Sequence, residues 1–219
     1  MIAQIIIGSL VLLPASNDPI LSEAVAQETQ AVTAIVDFSF NPRDTAATAW
    51  QIRLDSEGRG TYKAEPNSPL MPITVSAITL QTLLSTEPVV RAGLCGTKLK
   101  HIASTGMKTI RFNDALQSSC TFDYSDSTQL MAASSIFQAI AETIQIGQHL
   151  EREEHFDRLS VDADMDRLVE ESKDGRALEL QNIAPTLKSL VDNERIMERA
   201  RRKAARLVQD MIHESPSRL

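Results

Sequence analysis

The densest chemically capable stretch of this chain is His149-Leu150-Glu151-Arg152-Glu153-Glu154-His155, with Asp157 just beyond it. Residues four apart share a helix face, so His149, Glu153 and Asp157 would align one imidazole and two carboxylates, a donor set that suits a divalent metal. The same stretch could serve a metal-dependent or other hydrolase through His149, Glu153 and His155. It is not the His-Glu-x-x-His of zinc proteases, whose two imidazoles sit one turn apart around a glutamate. A solvated face explains it as well. His149 stands about 200° around a helix from Gly147, which belongs to the apolar stripe described below, and Glu154 with Arg158 offers an i, i+4 ion pair. His149, Glu153 and Asp157 are the candidate ligands; a polar helix face is the expectation.

Asp162, Asp164 and Asp166 have the alternation of a calcium loop, but that loop needs Gly at its sixth position and Glu at its twelfth, and Arg167 and Lys173 stand there. These aspartates are expected to open a helix, Asp162 as its cap and the other two against the positive end of its dipole. Arg195, Arg199, Arg201, Arg202, Lys203 and Arg206 make the last predicted helix basic. Arg195, Arg199, Arg202 and Arg206 are therefore candidates for binding phosphate groups. The chain is net acidic at −7, and no aromatics interleave with these cations for base stacking. Nucleic acid is thus not an expected partner, a membrane surface is disfavoured, and pairing with an acidic neighbouring helix, or plain solvation, is the simpler use. A protein partner is left open. No Gly-x-Ser-x-Gly and no glycine-rich phosphate loop occurs, and His101, His149, His155 and His213 are scattered. Neither a catalytic constellation nor a cofactor is called for.

What must position these residues is a chain of 219 residues with globular composition and few aromatics. Residues 27–125 read as an antiparallel α+β domain. Val36, Phe38 and Phe40 alternate with polar residues, as do Trp50, Ile52 and Leu54, and Tyr62 with Ala64 resumes the pattern after a Gly58-bearing hairpin. Pro66, Pro69 and Pro72 should keep the next stretch irregular. Ser76 is expected to cap a single covering helix that Pro88 ends. Further strands are expected at Thr97–Ala103, Lys108–Phe112 and around Cys120, Phe122 and Tyr124, with a turn at Ser104-Thr105-Gly106.

From Ser127 the period becomes helical. Leu130, Ala133, Phe137, Ile140, Ile144 and Gly147 form one stripe. About four helices are expected over 126–213: one to about Leu159, one from Asp162 to Gly175, one over 176–191 kinked by Pro185, and one from near Glu194. A short disordered tail, 214–219, follows.

Ile5–Leu13 is apolar but too short to span a membrane, and Ala24-Val25-Ala26 supplies a small-x-small cleavage pattern. Residues 1–26 are read as a signal peptide and the protein as exported, periplasmic or extracellular. Removing Asp18 and Glu23 with the leader takes the net charge from −7 to −5. Cys95 and Cys120, an even count in an oxidising compartment, are expected to pair as a structural disulfide.

The Leu54-Asp55…Gly58…Gly60-Thr61-Tyr62 hairpin, the Ala103-Ser104-Thr105-Gly106-Met107-Lys108-Thr109 turn and the Ile183-Ala184-Pro185 helix give a layout similar to uncharacterised exported bacterial α+β proteins, a resemblance that implies no activity. Pro185, the Asp192-Asn193 turn and Arg199 resemble a single HEAT-type helical hairpin. Taken together, these features point to a non-enzymatic exported binding or interaction module, with the hydrolase as the alternative.

Overall fold

The computed structural model describes residues 34–43, 48–65, 67–97, 105–113 and 116–214. In chain order its elements are β1 (Val36–Pro42), β2 (Trp50–Leu54), β3 (Arg59–Lys63), β4 (Met71–Thr74), α1 (Ala77–Leu84), α2 (Glu87–Arg91), β5 (Gly106–Phe112), β6 (Ser119–Phe122), α3 (Thr128–Phe156), α4 (Val161–Lys173), a 3-10 turn (Leu180–Ile183), α5 (Ala184–Asp192) and α6 (Glu198–Glu214). The fold is α+β, with an antiparallel sheet followed by a helical C-terminal region.

The alternation of the strand sequences sets the sheet. The order is β4-β3-β2-β1-β5-β6, every pair antiparallel, with Phe38 opposite Ile52 on one side and Ile110 on the other. Because side chains alternate, Val36, Phe38, Ile52, Leu54, Tyr62, Ile110 and Phe122 all reach one buried face. Arg53, Arg111 and Thr121 lie on the other, exposed face. Asp37 sits centrally there, its carboxylate accepting from Gln51 Nε2 at 2.7 Å and Arg53 Nε at 3.1 Å. Between β2 and β3, Asp55 Oδ1 accepts from the backbone N–H groups of Glu57 and Arg59, and Gly58 takes φ +76°, a conformation that strains residues bearing a Cβ.

Ser76 caps α1 as expected, its hydroxyl accepting from Thr79 N–H. Yet this helix contributes only Leu80 and Leu83 to the core and leaves Ile78 exposed, being too short to cover the sheet. The main cover is α3. Ser127 caps it, and Leu130, Ala133, Phe137, Ile140 and Ile144 lie on the sheet, with the Phe137 ring 4.5 Å from that of Phe38. A second core forms beyond it. Ile146 and Leu150 of α3 pack with Met165, Leu168, Leu187, Leu190, Ala200 and Ala204 from α4, α5 and α6. One continuous helix therefore serves both cores, and no described helix is long and apolar enough to cross a membrane.

Gly147 stands where α3 passes from one core to the other. A Cβ there would come within 2.3 Å of Ile183 Cγ2, so the absent side chain lets the 3-10 turn press onto α3. Gly147→Val should destabilise by about 1–3 kcal/mol, overpacking outweighing the small gain in helix propensity. Ile183→Ala in the same chain should recover part of that loss in chemical denaturation. An unchanged midpoint for Gly147→Val would show that the turn yields freely.

Several expectations are corrected. Pro72 lies within β4, which is tolerated because β4 is an edge strand whose outer groups need no ladder partner from a proline N–H. The Thr74 N–H donates to Asn182 Oδ1 at 2.8 Å and the Thr74 carbonyl accepts from Asn182 Nδ2 at 2.9 Å, so a side-chain amide covers that edge. Pro88 and Pro185 start α2 and α5 instead of ending or kinking a helix, since proline lacks only an N–H that the first turn leaves free anyway. Asp162 lies inside α4 and does not cap it. Tyr124 lies beyond the last strand, and α6 begins at Glu198 instead of near Glu194. The strand expected at Thr97–Ala103 falls, after Thr97, outside the described residues, as do Ser104, the proposed signal segment and 215–219.

Cys95 and Cys120 form a disulfide with their α-carbons 5.4 Å apart, inside the usual range. It ties the segment after α2 to β6 at the edge of the sheet, not one strand to another.

Candidate binding cleft

The polar stretch of α3 divides three ways. Glu154 turns inward, only 6% exposed, and accepts from Ser189 Oγ at 3.0 Å and Asn193 Nδ2 at 2.9 Å, pinning α3 to α5. Its expected ion pair with Arg158 is replaced by an Arg158 Nε bond to the Glu154 carbonyl. His155 and Phe156 point outward, His155 Nδ1 lying 2.9 Å from the Glu151 carbonyl, so His155 does not join the other candidates. Asp157 closes the end of α3, accepts from Ser160 Oγ at 2.6 Å, and is likewise outside the cluster.

His149 and Glu153 face α4. The turn after α3 folds α4 back alongside it, which brings in Asp164, a residue that sequence spacing could assign only to a helix start. His149 Nδ1 lies 2.7 Å from Asp164 Oδ2 and 3.5 Å from Glu153 Oε1. Burial, together with the adjacent Asp164, pushes the Glu153 carboxyl up to about 7, with His149 opposing. Burial alone would raise Asp164 too, but hydrogen bonds from Glu153 and His149 hold it below the ordinary carboxylate range. Glu153 Oε2 is fully buried with no hydrogen-bond partner.

His149 and Asp164, but not Glu153, edge a cleft of about 870 Å³ between α3, α4 and the segment following β3. Beneath it lies Tyr62, fully buried in the sheet core, its hydroxyl oxygen accepting from Gln145 Nε2 at 3.1 Å. Glu65, Glu142, Glu151 and Asp164 line it against Arg152 and Arg167. Arg167 is committed to Glu142 and, through Nε at 2.9 Å, to Glu171, so the lining is net negative. Such a site favours cations or ligands carrying a positive group.

The basic residues of α6 are used differently. Arg199 pairs with Asp162, and Lys203 Nζ bridges Asp162 Oδ1 at 2.7 Å and Asp166 Oδ1 at 2.6 Å. Arg202 faces Glu198 at 3.8 Å, while Arg195 and Arg206 are exposed. The four candidate arginines do not converge on one site. Arg199 serves the α4–α6 contact, for which the run of aspartates was the available signal. The contributions of Glu142, Arg167 and Tyr62 to the cleft had no such signal, because they depend on how β3, α3 and α4 dock.

No known family model, curated protein or solved structure matches this chain.

Proposed function

We propose that this chain is an exported, non-enzymatic binding protein, and that the cleft over Tyr62 is where it takes a small cationic or zwitterionic ligand. The observation that carries this reading is the net-negative polar lining of a concave site. Export is supported by the disulfide, since such bonds persist in oxidising compartments, together with the apolar leader and the Ala24-Val25-Ala26 pattern. The α5–α6 pair keeps its reading as a lone HEAT-like hairpin, here packed on α3 and α4, and the likeness to exported bacterial α+β proteins fits the same picture.

The test is a thermal-shift panel of amino acids, betaines and polyamines on the mature chain. At least one should raise the unfolding midpoint, by the equivalent of about 2.7 kcal/mol at a hundredfold excess over Kd. That rise should vanish in Ala64→Trp, which fills the cleft. Silence across the panel, or a shift that survives the filled cleft, refutes the assignment. Intact mass of the secreted form should show a start at Gln27; an uncleaved chain in the cytosol would refute export.

A further inference from the structure

We propose that His149, Glu153 and Asp164 hold one divalent transition-metal ion at the α3–α4 wall of the cleft. This deepens the binding reading above, on which it rests, by naming a cation as one occupant of that wall.

The geometry comes from two helices. His149 and Glu153 are one turn apart on α3, and Asp164 arrives from α4. One ligand atom from each lies within 4.8 Å of the other two. Ligands at about 2.0–2.1 Å in a tetrahedral site are roughly 3.3 Å apart. The observed 2.7 Å and 3.5 Å separations straddle that figure, so an ion requires only side-chain adjustment. One imidazole and two carboxylates with an open side suit zinc, manganese, iron or cobalt better than calcium, which prefers six or more oxygens. Of the three, His149 and Asp164 line the cleft.

A separate observation points to a ligand. The Glu153 side chain is 14% exposed and its Oε2 is wholly buried without a donor. Buried carboxylate oxygens are almost always satisfied, because leaving one bare forfeits its hydration with nothing in return. Without an ion, Glu153 can meet the neighbouring Asp164 carboxylate only by holding a proton between them. A cation among His149, Glu153 and Asp164 would take the place of that proton. The rival arrangement is a metal-free cluster in which those two carboxylates share a proton.

The experiment is calorimetric titration of the metal-stripped mature chain with Zn²⁺ and with Mn²⁺. The expected result is one ion per chain for at least one of them, weakened at least tenfold by Asp164→Asn and by Glu153→Gln. His155→Ala, a neighbour outside the cluster, should bind like the parent. Visible absorption of the Co²⁺-loaded parent chain needs no variant and should show ligand-field bands perturbed by histidine coordination. Absence of saturable binding, or an equal loss in the His155 control, overturns the site. Organic ligands that shift the metal-stripped protein while neither metal binds would leave the cleft reading standing while the ion falls; metal binding with a silent organic panel would do the reverse.

Discussion

Asp162→Asn is expected to lower folding stability by about 2–4 kcal/mol near neutral pH, a drop of roughly 5–12 °C in midpoint for a chain of this size. The carboxylate is 4% exposed and holds Arg199 and Lys203 of α6 against α4. Asparagine keeps the shape and loses the charge, leaving two cations facing a neutral amide. Lys203 still has Asp166, and Arg199 is exposed enough to regain water, which keeps the cost below that of a fully buried orphan. The Arg199 hydrogen bond, aided by Lys203, holds the Asp162 carboxyl at about 2, below its ordinary 3.8. A folded-state value below the unfolded one means that ionisation favours the folded chain. The contribution is complete above about pH 5 and drains away as pH falls through 4 towards 2. Parent and variant should therefore differ in urea midpoint at pH 7 and converge near pH 2. Equal midpoints at pH 7 would mean that the ion cluster is neutral in net effect.

The same residue shows how far the chain can be read without its fold. Periodicity located the strands around Phe38, Ile52 and Tyr62 and the α3 stripe through Phe137, because burial on one face leaves a repeat of two or of three to four. The basic run of α6 and the acidic start of α4 were each visible, but the cations could be read equally as paired with some acidic helix or as plainly solvated. That Asp162 would be the buried acceptor was not visible, since it depends on the rotation of α4 about its own axis. Proline signals failed for a related reason. Pro88 and Pro185 forbid a helix interior, but a ring with fixed φ is equally at home in the first turn, and only the preceding chain decides which. The cleft was the least legible part. His149 and Glu153 were recognisable by spacing along one helix, whereas Asp164 replaces Asp157 only because the chain reverses after Phe156. Glu154, four residues before Arg158, looked like surface and is instead buried against Ser189 and Asn193. Tertiary docking of α5 overrode the local pairing.

Reduction of the Cys95–Cys120 disulfide is expected to cost about 3–4 kcal/mol, the loop-closure entropy of a cross-link over 25 residues. The closed loop contains β5, which pairs with β1 through seven residues, from Val36 opposite Phe112 to Pro42 opposite Gly106. That ladder, and the packing of Ile110 and Phe112, does not need the sulfur link once the sheet has formed. The principal effect should thus fall on the unfolded chain, which gains conformations when the link opens. This separates it from a core truncation such as Phe137→Ala, which acts on the folded state. In urea, reduction should lower the midpoint and also raise the denaturant slope, because an uncrosslinked denatured chain exposes more surface. A Cys95→Ala/Cys120→Ala double variant should reproduce both changes, with a small extra loss from the void left by Cys120, which is 1% exposed. A lowered midpoint with an unchanged slope would place the effect in native packing around β6 instead. An unchanged midpoint would mean that strain in the folded state cancels the loop-closure gain, or that the denatured chain already keeps the two segments together.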